Sequence, residues 1–349
     1  MKNKIAIASA FMAASSFSMG EIVINDFLSF EGFVDMSYTH TDSELGSEEE
    51  SSNSWQIDQV EISWLFDFDP VTAQIDLQHE EFANDNNNVE QAFATYHFDD
   101  GGALTAGRYA SMLGFEAFEP TGLYQYSFAY DVHDAFGEVG DVTINPGYAQ
   151  GVKFTYETDT SFFGISLQDE AFDYDNDRFG GSGDSSWAVE AAGSFNMDNG
   201  LTFFLGGVYE DNDGAEGDTY MLNTYVTFET GPWIMAAELN YGESEAGAFA
   251  LGSGYNSDLE EEALQALIMA NFAYSEQASI TGRISYADHE HDAGVEADFV
   301  KFTIAHGYAF TDNLFLVNEL SYVDGELDAG GSSEDYESIL AAVELLFSF

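Results

Sequence analysis

The chain has 349 residues, with 64 Asp and Glu against seven Lys and Arg, a net charge of −57 and no cysteine. No basic stripe is available to neutralise phosphate, which excludes a nucleic-acid binder, and the lack of thiols excludes disulfides and thiolate metal sites. Hydrophobic residues make up 45% and aromatic residues 15%, yet beyond the N-terminal segment there is no run of about 18 apolar residues for a helical membrane span.

Residues 1–20 read as a secretory signal. Lys2 and Lys4 supply the positive end, Ile5 to Phe17 the short apolar stretch, and Ser18-Met-Gly20 the small residues that place cleavage before Glu21. Residues 21–349 then form one unit. Sixteen segments alternate apolar and polar residues, at about 27–39, 56–67, 71–80, 89–98, 103–109, 150–157, 161–169, 186–195, 201–210, 220–228, 233–241, 263–274, 278–286, 298–310, 314–322 and 337–349. Even-numbered segments are followed by short turns such as Asp99-Asp-Gly-Gly102 and Asn196-Met-Asp-Asn-Gly200. Longer acidic connections follow the odd-numbered ones. Short inner turns, long outer loops and an even strand count predict an all-β fold, a transmembrane antiparallel β-barrel with both termini in the periplasm.

Aromatic residues sort by strand direction. Tyr38, Tyr209, Tyr241, Tyr286 and Tyr322 fall at one end of the predicted barrel, and Phe66, Phe98, Phe195, Phe228, Phe310 and Phe349 at the other. Two interfacial girdles explain this sorting; the alternative architectures, a soluble β-sandwich or β-helix, do not. The opposite face is polar, with Glu31, Asp35, Gln74, Asp76, Gln78, Glu190, Glu238, Asn240, Glu319 and Glu344 expected to point inward. A barrel of about sixteen strands is too wide for side chains alone to fill and predicts an aqueous channel.

The connection at about 109–149, the third outer loop, is long and rich in Phe and Tyr but poor in acidic runs. It is expected to fold into the barrel and narrow the pore; a lid or an oligomer contact is the alternative. Arg108 and Lys153 flank it, and Arg283 and Lys301 fall on strands thirteen and fourteen, roughly opposite. All four are expected on inward positions. They either form a positive station facing Glu116, Glu119 or wall carboxylates, or hold the inserted loop by salt bridges. Arg108, Lys153, Arg283, Lys301, Glu116 and Glu119 are therefore the candidate constriction residues. The acidic excess predicts cation preference.

Asp173-Tyr-Asp-Asn-Asp177 and Asp211-Asn-Asp-Gly-Ala-Glu-Gly-Asp218 are dense in oxygen but do not complete a calcium-loop pattern, and His289-Glu-His291 has no partner at metal spacing. No metal site or cofactor is expected, and no catalytic residue. His40, His79, His97, His133 and His306 are scattered, and there is no nucleophile elbow. Acidic loops could bridge to lipopolysaccharide through divalent cations. The last strand, Tyr336 to Phe349, puts Ile339, Ala341, Val343, Leu345, Phe347 and Phe349 on one face, the pattern of a strand that closes a barrel.

The plan of an inward third loop and a terminal Phe is similar to that of the sixteen-stranded general porins. Gly107-Arg-Tyr-Ala-Ser-Met-Leu-Gly-Phe-Glu-Ala-Phe-Glu-Pro-Thr-Gly-Leu-Tyr-Gln-Tyr-Ser127, followed by Pro146-Gly-Tyr-Ala-Gln-Gly-Val-Lys-Phe-Thr-Tyr156, resembles the OmpL-like β-barrel porins. The resemblance implies a porin in the Gram-negative outer membrane, a passive channel for small hydrophilic solutes and ions. It also implies a homotrimer, for which Ala92, Ala94, Leu104 and Ala106 offer a small-residue contact face. An adhesin or structural barrel is the alternative function, and a barrel enzyme a more distant one.

Overall fold

The structure is a computed structural model that describes residues 20–80, 88–133, 142–172, 187–212, 217–245, 248–249, 260–292, 294–329 and 332–349. Of the expected signal segment only Gly20 is among these residues, and the Asp173–Asp177 loop lies outside them. A short strand, β1 (Ile22–Asn25), precedes sixteen longer ones. These are β2 (Leu28–Leu45), β3 (Glu48–Asp67), β4 (Val71–Glu80), β5 (Asn88–His97), β6 (Gly102–Ala110), β7 (Tyr148–Glu157), β8 (Ser161–Gln168) and β9 (Trp187–Asn196). They continue as β10 (Leu201–Asn212), β11 (Gly217–Thr230), β12 (Trp233–Ser244), β13 (Glu261–Ala273), β14 (Ala278–His291), β15 (Val295–Thr311), β16 (Leu314–Ala329) and β17 (Ser332–Ser348).

Each strand from β2 to β17 pairs antiparallel with the next. β17 returns to β2 in register from Tyr336↔Leu45 to Ser348↔Phe33. Sixteen strands thus close a barrel with every ladder occupied, the condition hydrocarbon imposes on backbone polar groups. Phe349 completes the seam: its N–H donates to the Gly32 carbonyl at 2.9 Å and its carbonyl accepts from Gly32 N–H at 2.8 Å. A Cβ on Gly32 would lie 2.3 Å from the Glu61 carbonyl oxygen, so the seam needs glycine there.

The two faces separate as the alternation predicts. Leu205, Leu222, Ile268, Ile304 and Leu320 stay exposed on the outer face, as do Tyr96, Phe98, Phe195 and Phe310. Girdle rings pack in pairs, Tyr38 on Trp55 at 4.8 Å at one end and Phe347 on Phe349 at 5.9 Å at the other. The inner face is more apolar than the sequence reading expected. Phe204, Met221, Tyr225, Leu267, Phe299 and Tyr336 are buried on it beside the acids. Period-two alternation identifies two faces, but where both carry apolar residues it does not say how dry the inner one is.

The strands are also longer than predicted on the outer side. β2 and β3 run as a ribbon to a two-residue turn closed by Leu45↔Glu48, with Gly46 at φ 59°. Glu48, Glu49 and Glu50 are therefore paired strand residues rather than free loop. Likewise, His289 and His291 lie in β14, both buried, where His291 Nε2 pairs with Glu261 Oε1. Once a ribbon leaves the membrane neither face needs apolar residues, and the alternation that marks a strand disappears.

Candidate pore constriction

The segment from Ser111 to Gly147 joins β6 to β7 and, among the described residues, carries one short 3-10 turn at Pro120–Gly122. Its described backbone makes few backbone hydrogen bonds, such as Ser111 N–H to the Gly147 carbonyl and Val142 N–H to the Tyr130 carbonyl, so many of its polar groups turn to side chains. They find the inward carboxylates, amides and hydroxyls of strands all round the barrel, which places the described part of the segment against the inner wall. Glu190 of β9 accepts from Ser111 Oγ at 2.8 Å and from Met112 N–H at 2.6 Å. Asn223 of β11 accepts from Gly114 N–H at 3.1 Å, and Glu238 of β12 from Phe115 N–H at 2.7 Å. Glu319 of β16 takes Tyr126 N–H at 2.8 Å, Ser127 N–H at 3.1 Å and the Ser127 hydroxyl. Leu113, Phe115, Tyr130, Val132, Val142 and Ile144 of the segment pack on the apolar part of the wall.

Two of the candidate cations clasp the segment. Arg283 is 2% exposed on β14; its Nη1 pairs with Glu116 Oε1 and its Nη2 donates to the carbonyls of Ser127 and Phe128 at 2.9 and 3.0 Å. Lys301 on β15 donates to the carbonyls of Phe128 and Asp131, both at 2.7 Å. Glu116 also accepts from Gln125 Nε2 and from Ala129 N–H, each at 2.7 Å, so one carboxylate ties the segment to itself and to the wall. Across the barrel, Lys153 on β7 is buried; its Nζ donates to the Ala110 carbonyl at 3.2 Å and sits 4.3 Å from the Tyr109 ring centroid.

Arg108 departs from the expected inward position. It is in register with Ala92 on the face that also carries the exposed Leu104 and Ala106, and it is half-buried, with Nε donating to the Glu90 carbonyl at 2.7 Å. Strand parity decides the matter: Arg108 is four residues from Leu104, so the two share a face. Glu119 is not beside Arg283 either. It lies against β3 and β7, accepting from Gln59 Nε2 and Tyr148 OH at 2.8 Å each, near Glu61 and Glu90. Burial pushes the Glu119 carboxyl above its ordinary range, against these hydrogen bonds.

His133 is an anchor that sequence reasoning missed. At φ 57° its carbonyl turns to accept from both Ser43 Oγ at 3.1 Å and Ser338 Oγ at 2.9 Å. Burial pushes its pKa down while the Asp131 charge opposes the shift; its Nδ1 lies 3.0 Å from Asp131 Oδ2 and its Nε2 2.9 Å from Ser321 Oγ. Burial alone would raise the Asp131 carboxyl, but the charges of His133 and Lys301 hold it well below the usual range. A lone His in an aromatic loop gives no signal of its strand partners, because Ser43 on β2 is 90 residues away in sequence, Ser321 on β16 is 188 and Ser338 on β17 is 205.

The inner face is unevenly covered. Asp76, Glu190 and Asn240 are 0–1% exposed, whereas Glu31 of β2, Gln74 of β4 and Gln91, Phe93 and His97 of β5 remain half-exposed. Partly exposed polar groups on this face thus include Gln74 and Gln91 of the adjacent β4 and β5 and Glu31 of β2.

A family model described as "Putative beta-barrel porin-2, OmpL-like" matches residues 28–349. Among solved structures, OmpF of Salmonella typhi, in complex with daunomycin, is 15% identical with a TM-score of 0.64, covering 95% of this chain and 100% of that one. An anion-selective porin from Comamonas acidovorans is 13% identical at TM-score 0.62, with 92% and 99% covered. The outer-membrane channel DcaP of Acinetobacter baumannii is also 13% identical, at 0.61 with 92% and 97% covered. No curated protein matches the chain in sequence.

Proposed function

The chain belongs to the OmpL-like β-barrel porin family, a family of the bacterial outer membrane, and from that membership and the geometry above we propose a passive, cation-preferring channel for small hydrophilic solutes and ions. The segment between β6 and β7 is the constriction in this reading, and the passage runs beside β4 and β5. One observation carries the sign of the selectivity. The buried cations Arg283, Lys301 and Lys153 direct donors at segment carbonyls or at Glu116, while Glu31 stays half-exposed on the inner face. A passing ion therefore meets uncancelled negative potential at the wall and at the acidic outer ribbons, which concentrates cations. No catalytic step belongs to this reading. Assembly as a homotrimer accords with it, through the outward face of Ala92, Ala94, Leu104 and Ala106. The reversal potential of single channels under a KCl gradient tests the selectivity: its sign should report potassium as the more permeant ion, and an anion-selective potential would contradict the reading.

A further inference from the structure

We propose that Glu61, Glu90 and Glu119 form a binding site for a divalent cation of the calcium type that fastens the inserted segment to β3 and β5. The three carboxylates each offer an oxygen, and these oxygens lie within 4.8 Å of one another. Oxygens no farther apart than this are close enough to share one calcium ion, whose bonds run about 2.3–2.6 Å. An all-carboxylate set favours a hard cation over the softer metals.

The second observation is that two of the carboxylates are incompletely satisfied. Glu61 and Glu90 are each 5% exposed, and Glu61 Oε2 and Glu90 Oε2 are buried without a hydrogen-bond partner. Their neighbours are otherwise well provided. Ser63 Oγ donates to Glu61 Oε1 at 2.9 Å, Gln59 and Tyr148 hold the two oxygens of Glu119, and Gln74 and Gln91 hold nearby Asp76. An orphaned carboxylate oxygen at such burial is costly unless a charge or a proton meets it. The arrangement is also built rather than accidental. β4 and β5 pair Asp76 with Gln91 and Leu77 with Val89, so Glu90 is an extra, bulged residue. The bulge lets Glu90 turn toward Glu61 while Gln91 keeps its inward place, a use bulges commonly serve beside functional sites. Arg108 donates from Nε to the Glu90 carbonyl, and its charge also acts on the Glu90 carboxylate.

The site is distinct from the Arg283 clasp, and it does not depend on what the channel conducts. The test is retention of radioactive calcium by the folded full chain in detergent, stripped with chelator and then dialysed against micromolar calcium at physiological salt. Wild type should retain one ion per chain. The double variant Glu61→Gln with Glu90→Gln should lose it, and Glu48→Gln, Glu49→Gln, Glu50→Gln, which alters only an exposed ribbon, should keep it. If the double variant does not reach the folded barrel, Glu119→Gln on the segment replaces it and should weaken retention by about tenfold or more. No retained ion in wild type, the result expected if protons rather than a metal neutralise the cluster, overturns the proposal. So does undiminished retention in the folded double variant or in Glu119→Gln.

Discussion

Arg283 ties the inserted segment to β14 at three residues. It is almost fully buried and meets Glu116, Ser127 and Phe128 together. Replacing it with Met leaves Glu116 buried without its charge partner, at a cost of about 3–5 kcal/mol. Urea unfolding of the barrel in lipid vesicles should show that loss for Arg283→Met. Adding Glu116→Gln should restore part of it, since the two changes belong to one interaction; strictly additive losses would refute the pairing. The inward position of Arg283 was legible from alternation, because Ile280, Ile284 and Tyr286 mark the other face of β14. Its partners were not, because 155 or more residues separate it from them in sequence. Arg108 shows the opposite case: its parity was readable from Leu104 and Ala106, and the register puts it on their face.

The hairpin ribbons on the outer side carry an unusual pairing. Glu44 faces Glu49, Glu290 faces Glu296, Asp324 faces Glu337 and Glu326 faces Asp335 across their ladders. Directly opposed like charges destabilise a strand pair, and at the surface the effect is screened by salt. Amide hydrogen exchange in β2–β3 beyond Tyr38 and Trp55 should therefore accelerate as ionic strength falls, while the membrane part of the same strands stays protected. Equal protection at low and high salt would show that the opposed acids carry no strain. These ribbons were hidden in the sequence, which shows only acidic stretches between alternating segments. The membrane parts were plain: all sixteen segments appear as strands, because lipid outside and polar groups inside enforce period two. Fixing the path of the β6–β7 segment required its hydrogen bonds, since irregular backbone has no period to read.

At the scale of the whole molecule, the proposed reading makes a closed barrel and the segment between β6 and β7 the two parts that define what can pass. The strand count sets a width that side chains could not fill. In the proposed reading the segment takes up part of that width, with Phe115 and Tyr130 packed on the apolar part of the wall. The terminal Phe349, which closes β17 onto β2 through Gly32, holds the cylinder against which that segment is built. Single-channel conductance in planar bilayers, compared between wild type and a chain lacking residues 114–128, tests this account most directly. The deletion removes Glu116, Glu119, Ser127 and the anchors between them while leaving the barrel ladders intact. It should raise the open-channel conductance severalfold. A conductance equal to that of wild type would contradict the claim that this segment sets the passage.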